Sequence, residues 1–143
     1  MEKINIGRVL LGGLVAGLVM NISEFLLNAV VLAKDLEEAM RRINLPPAGG
    51  ASVAVLIVLT FITGIVTVGL YAAIRTRLGS GPKTAIIAGL IVWFLIFVHG
   101  AIADSAIGLF PIGISLIAVV WGLFEAAIGA VAGAWLYKEA QSQ

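Results

Sequence analysis

The sequence contains no cysteine, a single histidine, four prolines and only 12% charged residues. Without cysteine there is no disulfide, no thiolate nucleophile, no iron–sulfur cluster and no cysteine-ligated zinc. With one histidine, neither a bis-histidine haem nor a zinc-protease site can be built from one chain. The charges are balanced as well as scarce, nine Lys and Arg against eight Asp and Glu. The chain therefore has no large field for nucleic acid, and no nucleic-acid partner is expected.

What fills the sequence instead is apolar: 61% of its 143 residues are hydrophobic, and the mean hydropathy is +1.11. So few polar residues cannot cover a water-exposed globule of this size, so lipid must be the solvent for most of the surface. Breakers and charges divide the chain into four apolar stretches, Gly7 to Ala33, Ala51 to Ile74, Lys83 to Asp104 and Pro111 to Tyr137. At 1.5 Å per residue, each can cross about 30 Å of hydrocarbon. Nothing alternates with period 2, as a lipid-embedded strand barrel would, so the backbone must satisfy itself as helix. The expected fold is all-α: one polytopic membrane domain over residues 1–143, folded as a four-helix transmembrane bundle.

Local signals agree with these limits. Pro82 and Pro111 stand where a first-turn proline belongs, and Gly79-Ser80-Gly81 supplies the turn before Pro82. The first stretch is far longer than the apolar region of a signal peptide and has no small-residue cleavage site after it, so it is expected to be retained. Between the first two spans, residues 34–44 place Leu36, Met40 and Ile43 opposite Asp35, Glu37, Glu38, Arg41 and Arg42. That pattern predicts a short amphipathic helix at the membrane interface, ended by Pro46 and Pro47.

Lys3, Arg8, Arg75, Arg77, Lys83 and Lys138 fall on one side of the four spans, and Lys34, Arg41 and Arg42 on the other. The excess of positive charge places both termini in the cytoplasm, in what is expected to be a bacterial cytoplasmic membrane, with Tyr71, Trp135 and Tyr137 as an aromatic belt on that side. A faint repeat is also visible. Moving the first span onto the third, Gly13 onto Gly89, also places Leu14 on Leu90, Ser23 on His99 and Asn28 on Asp104. The second and fourth spans match with Tyr71 on Tyr137.

In lipid the informative residues are the polar ones, because a charged side chain at mid-bilayer costs at least about 2.5–3.5 kcal/mol. Glu24 lies roughly 13 Å below the outer end of its span. Gly13, Gly17, Asn21, Glu24 and Asn28 follow at three- and four-residue steps, so one helix face carries glycines in its first half and amides with an acid in its second. Glu125 sits near the middle of the fourth span, beside a ribbon of Gly122, Ala126, Gly129, Ala130 and Gly133 that permits close helix approach. His99 and Asp104 lie toward the outer end of the third span. If these faces converge, Asp104, Asn28, His99, Glu24, Asn21 and Glu125 form a descending polar ladder. Trp93 and Trp121 lie mid-span and are expected to fill space opposite glycines, and Thr60, Thr63 and Thr67 to bond back to their own helix.

Two apparent motifs carry no chemistry. Gly79-Ser80-Gly81-Pro82-Lys83-Thr84 lacks the glycine before the lysine, and no strand precedes it, so it is a turn rather than a phosphate loop. Asn21-Ile22-Ser23 spells a glycosylation acceptor, but inside a span it is idle as one. No catalytic constellation is present; a carboxylate and histidine metal site using Glu24, His99, Asp104 or Glu125 is allowed by residue type without being indicated, the residues specify no cofactor, and the pattern points away from an enzyme. The expected function is ion- or proton-linked permeation of a small solute. Glu24 is its binding group, Asn21 and Asn28 orient that group, and Glu125 is a second titrating group, with His99 and Asp104 along the route. Four spans enclose only a narrow crevice, so a homo-oligomer is expected, joined through the glycines of the fourth span. The alternative is a non-catalytic subunit of a larger membrane complex whose acids bond other membrane subunits.

Overall fold

A computed structural model describes residues 4–138. Five helices account for almost all of them: α1 (Ile6–Val31), α2 (Ala33–Arg42), α3 (Gly50–Leu78), α4 (Pro82–Ala106) and α5 (Ile112–Leu136). Four of them, α1, α3, α4 and α5, are long and apolar enough to cross a membrane, and among the described residues there is no strand. The chain is a membrane protein built as a helix bundle. Lys3, one of the charges that set the expected orientation, lies outside the described residues.

The span ends shift by a few residues from the sequence expectation. The first helix stops at Val31, and buried Leu32 makes the corner into α2, which ends at Arg42. Helix α3 runs one turn past Ile74 because Arg75 and Arg77 continue it until Gly79, whose φ of 85° suits glycine. Pro82 occupies the first turn of α4, whereas Pro111 precedes the first residue of α5 as its cap. Helix α2 rests on Leu32, Leu36 and Ala39, one turn apart, rather than on Ile43, which follows the helix and is exposed.

The four long helices form a ring in which α1 packs on α3 and α5, and α4 closes against α5 and α3. Helices α3 and α5 also touch across one diagonal, while α1 and α4 face each other across the other. Small residues set the spacing. A Cβ on Gly12 would lie 2.5 Å from the Gly133 carbonyl oxygen, and one on Gly64 would run into the Gly13 carbonyl and the Gly17 amide. Gly13 and Gly17 lie against Ile65 and Phe61 of α3, and Gly89 lies against Ala126 of α5. In lipid such close backbone approach, rather than apolar burial, draws helices together.

This corrects the expected use of the α5 ribbon. Gly129 and Gly133 are filled by Met20, Ala16 and Gly12 of α1, and Gly122 by the Phe97 ring of α4. The ribbon is consumed inside the chain and is not free to join a second copy.

The bundle is tight at the end that holds both termini and splayed at the α2 end. Val9, Ala16, Val68, Tyr71, Ala72, Ala85, Ala88, Ala134 and Tyr137 form one core at the terminal end. At the other end only Leu27, Leu32, Ala39 and Ile114 are buried together, and every residue of α3 from Ala51 to Leu59 is exposed. Tyr71 and Tyr137 are therefore interior residues, each 4% exposed, and only Trp135 of the expected belt looks outward. Thr60, Thr63 and Thr67 each donate to the carbonyl four residues back, at 2.8–3.0 Å.

Candidate functional site

Helical geometry decides where Glu24 projects. On α1, Gly13 and Gly17 abut α3, whereas Gly12, Ala16 and Met20 abut α5. Glu24 follows Gly17 by seven residues and Met20 by four, so its side chain rises between the α3 and α5 contacts. At this level α3 has already diverged, which leaves Glu24 half-buried rather than sealed. On α5, Gly122 faces Phe97 of α4 and Gly129 faces Met20 of α1. Glu125 lies between them on the same face, aims into the ring and is only 6% exposed.

The polar groups around these acids form a chain. The Trp121 indole Nε1 donates to Ser23 Oγ at 2.8 Å, which sets Ser23, the neighbour of Glu24 in sequence, against α5 one turn from Glu125. The Asn28 amide donates to Glu24 Oε2 at 2.7 Å and to the Glu24 carbonyl at 2.8 Å. The Asn21 amide donates to the Gly17 carbonyl at 2.9 Å and across to the Ile57 carbonyl of α3 at 3.4 Å. That last bond is where α1 and α3 part. One oxygen is left over: Glu125 Oε2 is buried and has no hydrogen-bond partner. A buried polar atom without a partner costs about 1–3 kcal/mol, and sites that hold a ligand are among the places such atoms persist.

Beside Glu24, the last turn of α1, Leu27 to Val31, is π-helical, and the Leu32 amide reaches back to the Leu27 carbonyl at 2.8 Å. A second π-helical turn, Phe94 to Val98, interrupts α4 and carries the Phe97 ring that covers Gly122. Single π turns inside α-helices are commonly found at functional sites.

The expected ladder does not converge as a whole. Asn21, Glu24 and Asn28 lie along one stretch of α1 and bond there to α1 and α3, and the bond from Trp121 to Ser23 sets α5 against that stretch one turn from Glu125. His99 is exposed on α4 and Asp104 is half-buried there, on the helix diagonal to α1. Among the described residues no three His, Asp or Glu side chains gather as a metal site. Ser23 is the residue that sequence reasoning passed over, and Trp121 was expected only to pack. A mid-membrane indole must find an acceptor for its N–H, and that requirement was the available signal. Trp93 meets the same need by donating to the Val119 carbonyl at 2.8 Å.

A cavity of about 470 Å³ lies elsewhere, between α4 and α5 near the α2 end. Its walls are apolar apart from Ser105 and Ser115, whose hydroxyls bond each other at 3.4 Å. A lipid-facing groove with satisfied serines offers no chemistry.

Comparison with known proteins adds no relative to this picture: no family profile, no curated protein and no solved structure matches the chain.

Proposed function

We propose that the protein carries out ion- or proton-linked permeation of a small solute through the membrane, working as an oligomer. Glu24 is the protonatable binding group, Asn21 and Asn28 orient it, and Glu125 is the second titrating group. The observation that carries this reading is the unpartnered Oε2 of Glu125, buried one turn from the Trp121 to Ser23 bond that sets α5 against the Glu24 stretch of α1. A bundle that only packed would gain by replacing such an oxygen with a methyl group, so its presence there argues for a ligand. The excess of positive charge at Arg8, Arg75, Arg77, Lys83 and Lys138 supports an orientation with both termini on the cytoplasmic side of a bacterial cytoplasmic membrane and the splayed end outside.

The test is flux in vesicles that contain only this chain. Wild-type protein should dissipate an imposed pH or ion gradient, and Glu24→Gln should abolish the flux while leaving helicity and the elution profile unchanged. Equal flux in the variant would remove Glu24 from the pathway.

One observation favours a second reading, a non-catalytic subunit of a larger membrane complex. Residues Ala51 to Leu59 of α3 are exposed on every side, as a helix is when other membrane subunits complete its packing. Purification in mild detergent separates the two readings: a stoichiometric set of other polypeptides supports the subunit, and a homo-oligomer alone supports permeation.

A further inference from the structure

The acids of the candidate site have no countercharge within the spans. The chain has no Lys or Arg between Arg8 and Lys34, between Arg42 and Arg75, or between Lys83 and Lys138. An acid held in a membrane interior either keeps its proton or takes a cation in its place, and the spans themselves supply no cation. The hydrogen-bond inventory then says what kind of cation would fit. The donors at the site are committed: both amide nitrogens donate to α1 or α3, the Trp121 indole donates to Ser23, and the Ser23 hydroxyl has its own O–H for the Glu125 carboxyl beside it. What remain are acceptors, namely Glu125 Oε2, the second oxygen of Glu24 and the amide oxygens of Asn21 and Asn28 one turn to either side. Among the described residues, no three acidic or histidine ligands gather to coordinate a metal ion. A proton on each acid would still leave the second oxygen of each carboxyl and the two amide oxygens as acceptors without donors. The divergence of α3 above the Asn21 to Ile57 bond leaves the acceptors approachable from the α2 end.

We infer that Glu24 and Glu125, with Asn21 and Asn28, form a binding site for a small monovalent organic cation that carries several N–H donors, an alkylammonium or guanidinium group. This inference rests on the permeation reading and names its solute. Such a cation supplies the missing charge and three to five N–H groups in one small body, matching a site rich in acceptors and poor in donors.

The experiment is thermal unfolding of the full-length protein in mild detergent, in chloride salts at equal ionic strength. Methylammonium and guanidinium at millimolar concentration should raise Tm saturably, by about 3 °C. Sodium, potassium and tetramethylammonium, which carry the same charge and no N–H donor, should not. A tetramethylammonium or sodium shift equal to that of methylammonium overturns the inference, because the donors would not be what is read. Absence of any shift also overturns it. If Glu24→Gln still abolishes proton flux in that case, permeation stands and only the solute class falls; if it does not, both fall. Glu125→Gln should reduce the methylammonium shift at least tenfold in apparent affinity, and the wild-type salt series decides the matter even if that variant fails to fold.

Discussion

Tyr71 and Tyr137 meet edge to face at the terminal end of the bundle, their ring centroids 5.9 Å apart and their planes at 88°, with the Arg75 guanidinium 5.6 and 5.1 Å from the two centroids. Each hydroxyl also accepts a backbone N–H: Tyr71 from Gly81 and Tyr137 from Asn5, both at 3.3 Å. Gly81 stands to α4 as Asn5 stands to α1, and Tyr71 to α3 as Tyr137 to α5, under the offsets that align the two halves of the sequence. Each half therefore fastens the start of the other.

This arrangement makes the terminal end the firmest part of the molecule. Tyr71→Phe and Tyr137→Phe should each cost about 0.5–1.5 kcal/mol, the worth of one hydroxyl acceptor. Arg75→Met, which removes the charge over both rings, should cost about 1–2 kcal/mol. Reversible unfolding in a denaturing detergent titration measures each loss.

Glycine substitutions should divide sharply by position. A methyl at Gly12 or Gly64 meets backbone atoms that cannot step aside, so Gly12→Ala and Gly64→Ala should destabilise by about 1–3 kcal/mol. Gly100 and Gly113 have open space where a Cβ would go, and there alanine should raise stability by up to ~1 kcal/mol through helix propensity. Equal losses at all four positions in the same titration would contradict the packing described.

The bond from Trp121 to Ser23 should show as a coupling. Trp121→Phe and Ser23→Ala each remove it, and the double-mutant cycle should return about 0.6–1.7 kcal/mol, the range for side-chain hydrogen bonds between membrane helices. A coupling of zero would mean that the indole only fills space.

Glu125→Met keeps the volume of the side chain and removes the oxygen that has no partner. It should be neutral or stabilising by about 1–3 kcal/mol in the unfolding titration while abolishing flux in vesicles. A variant that loses both stability and flux would instead make Glu125 a structural residue.

The four spans and the helix between the first two were legible, though not their exact ends, because length, hydropathy and proline position are local properties, which backbone self-sufficiency in lipid converts directly into helices. Which neighbour each glycine serves was not legible. Gly129 reads the same whether Met20 of its own chain or a second copy fills it, and only the ring order of the helices decides. The stripe of Asn21, Glu24 and Asn28 could be placed on one face from spacing alone. Whether His99 or Glu125 would join it depended on which helix lies across which diagonal, and that is a long-range property. Ser23 was missed because its role exists only through Trp121, 98 positions along the chain.

The hydroxyl of Tyr137 on the amide of Asn5 also bears on connectivity. It holds the two ends of the described chain side by side, on the same face of the bundle as the Gly79–Gly81 turn. A short linker from beyond Tyr137 to before Asn5, with a new opening cut at Ser80, would give a circular permutant that begins at α4 and ends at α3. Every helix would keep its direction through the bilayer and its contacts in the ring. The order in which the two halves are written is thus separable from the shape they adopt.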